Sequence, residues 1–175
     1  MTGFDIAGDR PPLPASVQRV VAALIEARID TEVVMLAESA RTAQQAADIL
    51  TRTRAVPVDV AQIAKSLVFK AQSGLGVLVI ASGSVRVDER KVEAELGEPI
   101  GRADAAFVRE VTGFAIGGVP PLGHAQPLAV LFDRNLLAQP TVWAAAGHPH
   151  SLFEIAPQAL QRAARARVAD IALVA

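Results

Sequence analysis

The chain alternates between segments whose apolar residues repeat every three to four positions and segments that are apolar without a break. Val17, Val20, Val21, Leu24 and Ile25 fall on one helical face, so a helix is predicted from a Ser16 cap to about Ala27. Ala43, Ala46, Ala47 and Leu50 form a second such face, capped by Thr42. Asp88 and Asp104 cap two more helices, ending near Leu96 and Val111, and Pro157 opens another through Arg165. Strands are expected at Glu32 to Leu36, Lys65 to Lys70, Val77 to Ala81, Leu128 to Phe132, Thr141 to Ala145 and Leu152 to Ile155. Val60 to Ala64 suggests one helical turn, and Val168 to Val174 a last strand or an extended tail. Ser73-Gly74-Leu75-Gly76 is a turn that folds the second and third of these strands into an antiparallel hairpin.

Helices and strands are mixed, with hairpin-like neighbours and no repeat. The fold class is therefore α/β mixed (α+β), not a doubly wound parallel sheet. At 175 residues one domain spans 1–175, with Met1 to Pro14, rich in glycine and proline, as an irregular N-terminal arm. Hydrophobic residues make up 51% and aromatics only 4%, so the core is built from small and branched aliphatics. There is no cysteine, which removes disulfides, thiolate nucleophiles and thiolate metal ligands and fits a reducing, cytoplasmic setting. Neither a signal peptide nor a membrane span is expected. The formal net charge is −1, so any contact with nucleic acid must be local.

The most shaped stretch is Thr112 to His124, TGFAIGGVPPLGH. Glycine allows positive φ and close approach, whereas proline fixes φ and carries no donor. Backbone N–H groups at Gly117 and Gly118 are expected to be open to a carbonyl oxygen and to stabilise negative charge that develops on it. A plain hairpin connection is the alternative. Lys65 stands at the mouth of an apolar strand. It is either a solvated strand end or a single cation holding a phosphate or carboxylate. His124, His148 and His150 suit polar substrate contacts or ordinary loop positions better than a metal site, for which no third ligand is evident. Gly74-Leu75-Gly76 precedes a strand, so it lacks the context of a dinucleotide motif, and Lys65-Ser66 lacks the glycines of a phosphate loop. No Gly-x-Ser-x-Gly elbow is present, so a hydrolase of this sequence would position water and substrate without a protein nucleophile.

These residues carry a resemblance. Ala64-Lys65-Ser66-Leu67-Val68-Phe69, the Thr112 to His124 loop, Asp133 with Leu136-Leu137, and Ala146-Gly147-His148-Pro149-His150 together resemble the YbaK/prolyl-tRNA-synthetase-associated editing-domain family. The match runs from about Ala15 to Val168. It implies a barrel-like mixed β-sheet flanked by helices. It also implies a freestanding trans-editing deacylase that cleaves a wrong amino acid from the acceptor end of an aminoacyl-tRNA, typically tRNA(Pro), with prolyl-tRNA synthetase as a further partner and no cofactor. Lys65, Gly117 and Gly118 would then carry the chemistry, through a Gly-x-x-x-Pro loop from Gly117 to Pro121. Phe69, Ile116, Val119, Pro120, Pro121, His124, His148 and His150 would contact substrate. In the Cys-tRNA(Pro) deacylase branch a serine precedes the last proline of the loop. Here Pro120 stands there, so alanine or 2-aminobutyrate suits the site at least as well as cysteine. A non-catalytic module that binds a tRNA end or a synthetase is the alternative from another class, and a homodimer is compatible with the apolar excess.

Overall fold

The computed structural model describes residues 11–174. Most of the expected N-terminal arm lies outside the described residues, and residues 11–14 hold no regular element. Five α-helices and eight strands follow in a mixed order. Helix α1 (Ala15–Glu26) buries Val17, Val20 and Leu24, and leaves Ile25 exposed. Its cap is Pro14, with no side-chain hydrogen bond, so the expected Ser16 cap is corrected: proline's fixed φ starts the helix and Ser16 sits inside it. Helix α2 (Ala43–Arg54) is capped as expected. The Thr42 hydroxyl accepts from the Gln45 N–H at 3.1 Å. The helix runs past Leu50 and ends where Ala55 turns left-handed at φ 53°.

The strands are β1 (Val33–Met35), β2 (Ile63–Ala71), β3 (Gly76–Ser82), β4 (Ile100–Arg102), β5 (Ala129–Asp133), β6 (Val142–Ala145), β7 (Ser151–Ile155) and β8 (Arg167–Ala169). They form one sheet in the order β1-β7-β6-β2-β3-β5-β8, and β4 pairs with β2. The β2–β3 hairpin is antiparallel, with Lys65 opposite Ala81. Strands β5 and β6 add in parallel on either side of it. Every residue of β3 is buried, as befits a central strand covered on both faces.

Helices α3 (Glu89–Leu96), α4 (Ala105–Thr112) and α5 (Pro157–Ala163) complete the layers. Asp88 and Asp104 cap the first two by accepting from Arg90 and Phe107 N–H groups. One face of the sheet packs Ala64, Leu78 and Ile80 with Val20, Val108 and Phe114. The other packs Val77, Val79 and Ala81 with Val92 and Ile171. Two elements differ from expectation. Strand β4 has only three residues and owes its existence to its pairing with β2, which no local pattern records. The stretch Val168 to Val174 is not one strand: β8 ends at Ala169, and Ala172 then makes an isolated bridge to Val87.

Candidate active site

The loop after α4 is closed by its own residues. Gly113 takes the left-handed cap of α4 at φ 79°, and the Ala125 and Gln126 N–H groups return to the Thr112 and Val111 carbonyls. Buried Thr112 donates through its hydroxyl to the Val108 carbonyl (2.6 Å) and accepts from the Phe114 N–H (3.0 Å). The Arg19 guanidinium lies 4.5 Å from the Phe114 ring centre and donates to the Gly113 carbonyl at 2.8 Å. At the far end, His124 Nε2 lies 2.7 Å from the Pro120 carbonyl oxygen. A carbonyl only accepts, so Nε2 carries the proton. Burial holds the His124 pKa below 6.5, and the bond to Pro120 opposes that shift.

The two central glycines serve different needs. Gly117 has φ +98° and an N–H with no hydrogen-bond partner among the described residues. Gly118 is buried, and a Cβ there would stand 2.8 Å from the backbone of His148. Gly118 is thus the point where the loop touches the Gly147–His148 turn backbone to backbone. Its N–H, expected to be open, donates to the Ala115 carbonyl at 3.2 Å. That expectation is corrected, because the turn around Ile116 consumes the donor.

Opposite the loop lies an opening in the sheet. On the side of β2 away from β3, strand β6 pairs only with Ile63 and Ala64, and β4 only with Phe69 to Ala71. Residues 65–68 have no strand partner there. A cavity of about 500 Å³ fills this opening, within the range of small-ligand sites. Its walls are the open stretch of β2, the start of α2, the loop at Ile116, Gly117 and Val119, and the turn at His148. Ala64, Val68, Val108, Val119 and Ala145 make one side apolar and small. Lys65, Arg41 and Arg102 are the cationic residues of its lining, and no carboxylate among the described residues lines it.

Lys65 lines the cavity, while its ammonium donates to the Val85 carbonyl at 2.6 Å. Burial pushes its pKa down from 10.5, and the charge of Asp133 partly restores it. Asp133 is fully buried and accepts from the Ser82 and Asn135 N–H groups. His148 accepts the His150 N–H on Nδ1 at 3.1 Å, which leaves Nε2 as the protonated nitrogen of the neutral ring. His150 Nδ1 lies 3.2 Å from the Leu36 carbonyl. Among the described residues no group of three or more His, Asp or Glu could hold a metal ion.

The cavity therefore brings together Lys65, Ile116, Gly117, Val119 and His148 from the sequence-derived set. Phe69, Gly118, Pro120, Pro121, His124 and His150 stand outside its walls. Pro120, Pro121 and His124 shape the loop from behind, and Phe69 packs on the opposite face of the sheet. Sequence reasoning missed the α2 wall and the place of Ser66 in the cavity lining. Arg41 beside the Thr42 cap was the one local signal for the first of these.

An open strand edge, a glycine–proline loop and cationic lining residues meet at one cavity of a mixed α/β domain. Residues 37–163 match the model of the aminoacyl-tRNA editing domain, and the chain belongs to that family. It is 31% identical over 131 residues to the uncharacterized protein YwhH of Bacillus subtilis (strain 168), covering 75% of this chain and 80% of that one. A solved structure described as a "putative trans-editing enzyme for prolyl tRNA synthetase" shares 41% identity and a TM-score of 0.84, over 93% of this chain and 100% of that one. Hypothetical protein APE2540 shares 27% identity and a TM-score of 0.79, over 89% and 99%.

Proposed function

We propose that this chain is a trans-editing hydrolase that deacylates mischarged tRNA, with tRNA(Pro) carrying alanine, 2-aminobutyrate or cysteine as its substrates. The observation that carries the proposal is the cavity itself. It is lined by the small apolar residues Ala64, Val68, Val119 and Ala145, by Gly117 with its open N–H, and by three cations with no carboxylate among the described residues. The acyl group occupies the apolar side. The nucleotide end lies along Lys65, Arg41 and Arg102, where its phosphates find charge-assisted donors.

No side-chain nucleophile is required. A water molecule adds to the ester carbonyl carbon, and the Gly117 N–H donates to the oxygen that becomes negative. The bond to the ribose oxygen then breaks; one proton of the water passes to that leaving oxygen, and the other is released to solvent as the amino acid departs with its carboxylate. The His148 ring, whose Nδ1 accepts the His150 N–H, lines the cavity and orients the water or the ribose through Nε2. Lys65 exchanges its bond to Val85 for the nucleotide. The similarity to a structure described as acting for prolyl-tRNA synthetase supports tRNA(Pro) as the tRNA and that synthetase as a partner. Deacylation of Ala-, 2-aminobutyryl- and Cys-tRNA(Pro) by the purified chain is the test. Acceleration over buffer for at least one is expected. Binding without cleavage would instead favour a module that only recognises the tRNA end.

A further inference from the structure

The open stretch of β2 turns main-chain hydrogen-bonding groups out of the sheet. The Ala71 N–H donates to the Leu75 carbonyl at 2.9 Å, and the Gly83 N–H to the Ile63 carbonyl at 2.7 Å. Odd-numbered residues of β2 therefore direct their main-chain groups to β3, since these groups alternate sides along an antiparallel pair. Even-numbered residues direct theirs to the other edge. There Ala64 is in register with Ala144 of β6, and Lys70 with Gly101 of β4. Ser66 and Val68 lie between them with no strand in register, and both line the cavity. Ser66 alone of the two carries a hydroxyl, which is buried and has no partner among the described residues. A buried polar group of a native fold is paired, so this hydroxyl, beside the N–H and C=O that Ser66 turns to the open edge, calls for a ligand.

We propose that Ser66 binds the aminoacyl group through its main chain, as one strand residue binds another. A residue in a hydrogen-bonded pair offers N–H and C=O on the same side. An aminoacyl ester offers the same couple, an α-ammonium donor and a carbonyl acceptor. The α-ammonium donates to the Ser66 carbonyl, and the Ser66 N–H donates to the acyl carbonyl, whose second lone pair stays available to Gly117. This contact ignores the side chain, so selection among amino acids falls to the small apolar side of the cavity. It does select for a free α-amine, and it excludes N-blocked chains such as peptidyl-tRNA. The inference rests on the deacylase reading and adds to it the chemical group that is read.

The test compares three substrates on one tRNA: alanyl, N-acetylalanyl and propionyl esters. A charge-assisted bond lost with the amine lowers kcat/KM for the propionyl ester at least about tenfold, and the N-acetyl ester falls at least as far. Equal turnover of alanyl and propionyl esters overturns the proposal. Ser66→Ala retains both main-chain groups, so its preference for the amine persists. Disappearance of that preference in Ser66→Ala would shift the role to the hydroxyl and overturn the main-chain assignment. If no charged tRNA is cleaved, the deacylase reading fails, and the amine contact is then judged by binding. Non-cleavable 3′-amide-linked alanyl-adenosine is expected to bind at least tenfold tighter than its propionyl counterpart, and equal affinity overturns the contact.

Discussion

The two walls that face each other across the cavity are made in opposite ways. The loop of residues 113–124 is rigid because of what its residues are. The β2 wall is open because of what its neighbours fail to do. In the loop, Gly117 supplies a positive φ, Gly118 a backbone contact, the prolines a fixed path, and His124 a bond to Pro120. Each of these is a property of one side chain or of its absence. Strand β2 has an ordinary apolar sequence. Its reactive edge exists because β6 stops at Ala64 and β4 begins at Phe69. A rigid wall can be damaged by single substitutions, whereas an open edge is damaged only by changing what it holds.

The largest effect is expected on the strand side. Lys65→Ala removes the half-buried cation of β2, and loss of a charge-assisted contact worth about 1.5–3 kcal/mol lowers kcat/KM roughly tenfold to a hundredfold. Circular dichroism should show an intact fold, and unchanged turnover would take Lys65 out of the site. On the loop side, Gly118→Ala places a Cβ 2.8 Å from the His148 backbone, which must then move. Overpacking of this kind costs about 1–3 kcal/mol. Gly117→Ala meets only Pro149 at 3.7 Å and suffers chiefly from its φ of +98°, so a smaller loss is expected, about 1 kcal/mol. Thermal melts of the two variants check this order, and a greater loss for Gly117→Ala would contradict the backbone-contact role of Gly118.

Acid should loosen the loop before the strand. The folded-state pKa of His124 is depressed below 6.5, so between that lowered value and 6.5 the unfolded chain binds more protons. The stabilisation is fully present above pH 6.5 and is lost as pH falls through the folded value. Melting temperature is therefore expected to drop with acidification more steeply in the parent protein than in His124→Asn. Equal slopes would remove His124 from the loop's support. The smallest effect belongs to the rim. Arg41→Ala and Arg102→Ala should each weaken tRNA-end binding modestly and reduce the salt slope by about 0.7 per lost phosphate contact. A slope unchanged in both variants would show that these arginines only border the cavity.

Five arginines, Arg41, Arg52, Arg54, Arg102 and Arg109, show how far local information reaches. Arg41 and Arg102 line the cavity. Arg52 is paired with Glu38 at 2.9 Å, Arg54 stacks on Trp143 at 5.1 Å, and Arg109 stands outside the cavity walls. Nothing in their local sequence separates these cases, because ion pairing and stacking depend on residues 14 to 89 positions away. The two histidines of the 148–150 turn divide in the same way. Only His148 reaches the cavity, since His150 is drawn to the Leu36 carbonyl from a distant strand end.

The sequence by itself determined the helices, because their caps at Thr42, Asp88 and Asp104 and their apolar faces act over four residues or fewer. It determined the β2–β3 hairpin for the same reason, through the turn at Gly74, and it marked the loop by its glycines and prolines. Only the tertiary structure decided which edge of β2 stays open, which loop amide remains free, and which cations face the cavity. Those outcomes depend on pairing between segments far apart in the chain: a strand's residues state which face is apolar, and the register of its neighbours states where its polar backbone is left for a ligand.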